Sequence, residues 1–256
     1  MTLGVALAAG VASAFERSHQ AVLQRLVRLG LEACDQPVQH LRPHETIAEG
    51  HAVLVGLVAR PAARARACKD YNSKRVLAAR FEAKDAASAK DWVEKCFGRI
   101  DGLINNAGIL RMVRFDDGEE AALSELWDVN VMAPFRLLRL TLPHLRKAGH
   151  GRVVNVASTD AKRYRDAASS VGYVMTKHAL LALSHAAKFA GWDDGVRVTA
   201  LMPGAVETDL IAGLAGVATK RMKPDIIAHT VSFLLSLPDE ASVAELPINT
   251  RPEPTL

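Results

Sequence analysis

The chain has 256 residues, a formal net charge of +4 and 49% hydrophobic residues. That is enough for one large domain with a full core, and too apolar for a disordered chain. Its bases are interleaved with acids, so no basic face is set out for nucleic acid. Cys34, Cys68 and Cys96 form no CxxC pair, which points to a reducing compartment, the cytoplasm, and to no structural disulfide.

The opening MTLGVALAAGVASAF imitates a signal peptide, with Ala12-Ser13-Ala14 in the place of a cleavage site. No Lys or Arg precedes the apolar stretch, so it reads instead as a buried first strand, Thr2–Ala9. No apolar run reaches the roughly 18–20 residues that a membrane span requires. His51–Ala59 reads as a second strand, and about 40 residues lie between the two, more than a βαβ unit normally uses. From residue 75 the pattern is regular. It predicts strand Arg75–Glu82, helix Ala86–Phe97, strand Arg99–Asn105 and a long helical stretch Ser124–Lys147. Strand Arg152–Ala157, helix Gly172–Phe189, strand Val196–Met202, helix Pro224–Ser236 and a strand near Ala244–Ile248 follow. Such alternation predicts a single α/β domain over 1–256, a doubly wound parallel sheet of Rossmann type flanked by helices. Ligands of that fold bind at the carboxyl ends of the strands.

Chemistry-bearing residues fall at those ends. Tyr173 and Lys177 lie four apart in GYVMTKHALLAL, on one helix face about a turn from each other. A phenol with an ordinary pKa of about 10 is a poor acid–base at neutral pH, and a nearby ammonium favours its phenolate. Ser158 stands just beyond strand GRVVNVA, where its hydroxyl can reach a substrate carbonyl. Asn130 interrupts the apolar helical stretch LWDVNVMAPF, a position that calls for a hydrogen-bonding reason. Asn105-Asn106-Ala107-Gly108 ends another strand with residues small enough for a flat ligand to meet the backbone. Pro203-Gly204-Ala205-Val206-Glu207-Thr208 follows strand VRVTALM.

The order NNAG, Asn130, Ser158, Tyr173-xxx-Lys177, PGxVxT resembles the short-chain dehydrogenase/reductase family over about residues 75–256. The resemblance implies an NAD(P)-dependent oxidoreductase acting on a small-molecule carbonyl or secondary alcohol. Tyr173 is then the general acid/base. Lys177 lowers its pKa and holds the nicotinamide ribose, Ser158 polarises the substrate oxygen, and Asn130 positions a water beside Lys177. Asn106, Ala107 and Gly108 pass beneath the adenosine ribose. Pro203, Gly204, Val206 and Thr208 meet the nicotinamide carboxamide, and Glu82 stands near adenine. The two long helices are expected to pair across a dimer axis, giving a homodimer or homotetramer. Neither nucleic acid, membrane nor metal is implied as a partner.

Three departures qualify the match. Ser158 and Tyr173 are fifteen residues apart, about two more than the family pattern, and the loop holds Lys162, Arg163 and Arg165. It is expected to be solvated. The family's TGxxxGxG turn is replaced by Ala9-Gly10-Val11-Ala12-Ser13-Ala14-Phe15-Glu16, in which Gly10 alone survives and Glu16 puts negative charge where phosphates should lie. Finally, no acid follows the second strand, whereas Arg60, Arg64 and Arg66 do. An Arg there suits the 2′-phosphate, which favours NADP over NAD. The broken loop also sustains an alternative, a catalytically impaired pseudoenzyme of the same fold acting through protein contacts.

One compositional shift stands apart. All four glutamines, Gln20, Gln24, Gln36 and Gln39, fall before residue 40, and four of the nine histidines crowd the same region. Residues of about 11–48 therefore read as a segment of different origin, either genuine or a shifted reading frame.

Overall fold

The computed structural model describes residues 2–8, 52–58, 76–94, 100–208, 210–211, 220–250 and 252. Its strands are β1 (Thr2–Ala8), β2 (Ala52–Val58), β3 (Val76–Phe81), β4 (Gly102–Asn105), β5 (Arg152–Val156), β6 (Arg197–Pro203) and β7 (Glu245–Ile248). They form one seven-stranded sheet in the order β3-β1-β2-β4-β5-β6-β7. The helices are α1 (Ala86–Glu94), α2 (Glu120–Trp127), α3 (Ala133–Ala148), α4 (Val171–Gly191) and α5 (Pro224–Ser236).

Strands β2, β4, β5, β6 and β7 pair in parallel, with Leu103 opposite Val153 and Asn105 opposite Asn155. Every residue of β4 and β5 is buried, the mark of strands covered on both faces. Leu103, Val153 and Val198 share a core cluster with Trp92 of α1 and Leu137, Leu138 and Leu145 of α3. Alternation turns Ile104 and Val154, also buried, to the other face. Ala200 and Met202 of β6 pack with Leu180 and Leu181 of α4.

β1 departs from the parallel pattern. It runs antiparallel to both β2 and β3, with Thr2 opposite Val58 and Ala8 opposite Ala52. Gly56 of β2 lies opposite Asn105, so the Val58 end of β2 is the ligand-binding edge and β1 finishes at the far edge. The expected course, with the chain leaving β1 toward the ligand edge, is not the one taken. Short apolar stretches such as TLGVALA alternate identically in either direction, so the pattern carries no polarity.

The stretch read as one helix from Ser124 to Lys147 is α2, a π-helical turn Asp128–Met132, and α3. Asn130 sits at the centre of that wider turn, fully buried. Local π turns are frequent at functional sites because they re-aim one side chain without ending the helix.

Candidate active site

Helix α4 begins where Ser170, in extended conformation, accepts the Tyr173 N–H at 3.2 Å as an N-cap. The same hydroxyl donates to Arg111 O at 2.7 Å and accepts from Val113 N at 3.2 Å, tying the start of α4 to the segment after β4. This fixes the first turn of α4, which carries Tyr173, and the next, which carries Lys177. Both side chains are buried.

Lys177 Nζ donates to Val156 O at the end of β5, at 3.0 Å, and lies 5.5 Å from the Tyr173 ring centroid. Burial pushes its pKa down to about 8, against a smaller opposing pull from Asp160. Tyr173 is held well above the ordinary phenol value, first by burial and then by the Asp160 charge, with a hydrogen bond from Ser158 and the Arg165 charge acting the other way. The expected lowering of the phenol by Lys177 therefore does not set its direction. The ammonium is turned to a backbone carbonyl, and desolvation dominates.

Ser158 follows β5 and β-extended backbone lets its Oγ accept from Asp160 N at 3.1 Å. That leaves the hydroxyl proton to turn toward Tyr173 Oη or a substrate oxygen beside it. Asn130 is a clamp: Oδ1 accepts from Ile109 N at 2.9 Å, while Nδ2 donates to Ile109 O at 3.0 Å and to Thr176 Oγ1 at 3.1 Å. It joins the π turn to the segment after β4 and to α4, one residue before Lys177. A Cβ on Gly108 would stand 3.5 Å from Asn130 Oδ1 and 3.6 Å from Lys177 Nζ, so Asn130, Lys177 and Gly108 adjoin. Ser158, Tyr173, Lys177 and Asn130 thus converge at the carboxyl edge of β4 and β5.

The NNAG segment has a second property. Asn105 Nδ2 donates to Asn155 Oδ1, and Asn155 Nδ2 to Ser184 Oγ, each at 2.8 Å, which spans β4, β5 and α4. Asn105 Oδ1 and both amide atoms of Asn106 are buried without hydrogen-bond partners among the described residues. Orphaned polar atoms at a ligand edge suit a ligand rich in hydroxyl and amide groups. A nicotinamide dinucleotide is one, so the residues on this side of the site fit it.

The PGxVxT segment leaves β6 at Pro203. Gly204 N donates to Ile248 O at 2.8 Å, and a Cβ there would meet Asn249 Oδ1 at 2.3 Å, so a larger residue requires the Asn249 side chain to move. Val206 bridges Met222, and Thr208 Oγ1 donates to Val206 O at 3.5 Å. Glu82 lies in the turn between β3 and α1, its N–H donating to Ser88 Oγ at 2.8 Å, while Asp85 Oδ1 caps Ala87 N at 2.9 Å. Gly10 and Arg60 lie outside the described residues, as does the whole segment of about 11–48.

The loop between Ser158 and Tyr173 is exposed at 162 and 164–168, as expected of a solvated loop, while Asp160, Ser169 and Ser170 at its two ends are buried. Arg165 grips Asp160, with Nε 2.7 Å from Oδ1 and Nη2 3.2 Å from Oδ2. Lys162 pairs with Glu245 of β7, which also takes His185 Nε2 at 2.8 Å. A buried carboxylate demands a counter-charge, and that demand draws the loop in. Asp160 went unread in the sequence. An acid two residues after the site serine, with an arginine five further on, was the available signal.

This mainly parallel α/β sheet, with a buried Ser, Tyr and Lys set at its carboxyl edge, is of Rossmann type. A family model described as short chain dehydrogenase matches residues 43–215, more than half of the chain, and the chain belongs to that family. It is 39% identical over 170 residues to agropine synthesis reductase of Rhizobium rhizogenes, covering 64% of this chain and 39% of that protein. It is 34% identical over 132 residues to a short chain dehydrogenase, adrF, of Penicillium rubens, covering 49% of this chain and 50% of that one. The chain thus spans half or less of the length of these relatives. Among solved structures, an alcohol dehydrogenase of Thermococcus sibiricus, complexed with 5-hydroxy-NADP, is 31% identical. It gives a TM-score of 0.59 over 68% of this chain and 75% of that one. ElxO with NADP bound shares the fold at 21% identity and a TM-score of 0.60, over 66% of this chain and 75% of that one. No helix among the described residues is long and apolar enough to cross a membrane.

Proposed function

We propose that the protein is an NADP-preferring oxidoreductase that interconverts a carbonyl compound and the corresponding secondary alcohol, acting as a single domain. The observation that carries this is the convergence of Ser158, Tyr173 and Lys177, all buried, at one edge of the sheet. A nicotinamide cofactor supplies or accepts the hydride when bound. Tyr173 Oη gives its proton to the carbonyl oxygen in reduction and recovers it in oxidation, and burial keeps the phenol protonated for the first role. Ser158, its Oγ already accepting from Asp160 N, directs its proton at the substrate oxygen. Lys177, anchored on Val156 O, holds the nicotinamide ribose. Asn130 fixes the wall beside it and positions a water there. Asn106, Ala107 and Gly108 take the adenosine ribose, Glu82 the adenine side, and Pro203, Gly204, Val206 and Thr208 the carboxamide. Gly10 and Arg60 complete the cofactor set, Arg60 meeting the 2′-phosphate.

The 5-hydroxy-NADP complex of the Thermococcus sibiricus alcohol dehydrogenase supports this cofactor class. The relatives named above are reductases and dehydrogenases, and none of them supports the impaired-enzyme alternative. A cytoplasmic homodimer or homotetramer is the accompanying proposal. Titrating the purified protein with NADPH and NADH, followed by cofactor fluorescence, tests the reading. NADPH binds more tightly, and Arg60→Ala narrows the gap by a contribution of about 1.5–3 kcal/mol. Equal affinities in the wild type remove Arg60 from the site.

A further inference from the structure

Asp160 is buried, yet it is no part of the set that the family pattern names. Its backbone N–H donates to the Ser158 hydroxyl at 3.1 Å, and its carboxylate accepts one hydrogen bond from Arg165 Nη2 and lies 2.7 Å from Arg165 Nε in an ion pair. One N–H···O bond and one close ion-pair contact thus hold this buried carboxylate, and a charge-assisted bond of this kind is stronger than a neutral one. Arg165 is carried by the loop that is longer than the family pattern. The loop is pinned at three more points: Tyr164 Oη donates to Ser169 O at 3.0 Å, Asp166 Oδ1 accepts from Ala168 N at 3.0 Å, and Lys162 pairs with Glu245. Loop bases held this way are committed to partners within the protein, which argues against an anion-binding role for Lys162 and Arg165.

We propose that the Asp160–Arg165 pair is a positioning device, which sets the Ser158 hydroxyl and balances the charge around Tyr173 and Lys177. This rests on Tyr173 being the acid/base. Around Tyr173, the charged and polar groups among the described residues are Ser158 and Asp160 after β5, Arg165 on the loop, and Lys177 on its own helix. With the pair intact, the Arg165 charge offsets part of the Asp160 charge at Tyr173. Without Arg165 the bare charge disfavours phenolate formation and favours the ammonium. Without Asp160 the ammonium loses a supporting charge.

The test reads the titration of the Lys177 amine by ¹⁵N NMR of the whole chain, the resonance being assigned with Lys177→Met. Arg165→Gln raises the Lys177 midpoint by about half to one pH unit, and Asp160→Asn lowers it by a similar amount. Arg165→Lys, which keeps the charge, stays within a few tenths of a unit of wild type. Should Arg165→Gln not fold, Asp160→Asn and Arg165→Lys still give the contrast. Shifts of the same sign in Arg165→Gln and Asp160→Asn, or no shift in either, overturn the proposal. A parallel assay of Tyr173→Phe with NADPH and 4-nitrobenzaldehyde keeps the underlying reading separate. Turnover retained there removes Tyr173 from the chemistry, whatever the Lys177 titration shows.

Discussion

Tyr173 and Lys177 are both buried, yet burial acts on them in opposite senses. It keeps the phenol protonated and drives the ammonium toward its neutral form. If Tyr173 moves the proton, Tyr173→Phe loses about 10²–10⁴-fold in turnover. NADPH affinity, read by fluorescence titration, stays near wild type, because the ring that packs in the site is kept. Lys177→Ala lowers both, since its ammonium is assigned to the ribose as well as to the charge balance. The depressed Lys177 also leaves a stability signature of definite sign. Its folded value of about 8 lies below the ordinary 10.5. Below pH 8 the ammonium is charged in both states, and burying it weakens the fold. Above pH 10.5 the amine is neutral in both, and the penalty is gone. Wild-type stability therefore rises relative to Lys177→Met between pH 8 and 10.5, by up to roughly 3 kcal/mol. Urea unfolding of the two proteins side by side at pH 7.5 and 10 measures it. A difference that stays flat across that range shows that Lys177 is not desolvated in the folded protein.

The π turn at Asp128–Met132 makes Asn130 an element-level part, because one amide joins three segments: the π turn, the stretch after β4, and α4. Asn130→Ala strips Ile109 N–H and C=O of their partners and lowers stability by about 2–4 kcal/mol. Asn130→Asp keeps the acceptor but not the two donations. It sets a buried carboxylate oxygen against Ile109 O and Thr176 Oγ1 and costs at least as much as Asn130→Ala, and the urea midpoints rank the three proteins. The turn itself was only half legible. A buried Asn in LWDVNVMAPF signals a local hydrogen-bonding task, but the sequence does not say that the helix widens to aim it. Helix α5 and strands β5 and β6 could be read to within a residue or so, since apolar periodicity is strong and Pro224 and Gly151 mark their edges. Tyr173 and Lys177 were legible for the same reason, a fixed spacing on a periodic helix. The Asp160–Arg165 pair was not, because its contact depends on how an aperiodic loop closes. The direction of β1 was not either, because hydrogen-bond polarity leaves no trace in a short apolar alternation.

On the scale of the whole molecule, the sheet divides at β2. From β4 onward the strands follow the parallel order expected of the fold, whereas the strand beside β4 is β2, with β1 outside it and reversed. In the usual doubly wound order the first strand lies beside the fourth, and the glycine-rich turn leaves it toward the ligand edge. Here β1 ends at the opposite edge, and Gly10 comes two residues after Ala8. The family match begins at residue 43, close to where the glutamine-bearing stretch ends. We propose that the anomaly lies in one segment, about 11–48, and that a shifted reading frame over most of it explains both its glutamines and the late start of the family match. On that hypothesis, reading the neighbouring frames of the gene recovers a TGxxxGxG turn, and the intact mass of the natural protein departs from the mass of this sequence. A natural mass equal to that of this sequence makes the segment genuine, and the prediction then reverses. Glu16 repels the pyrophosphate, no glycine turn lets the backbone approach it, and NADPH binds weakly or not at all. Fluorescence titration of protein of confirmed mass decides between these outcomes. Tight NADPH binding by a chain verified to carry Glu16 would show that phosphate recognition here does not depend on that turn.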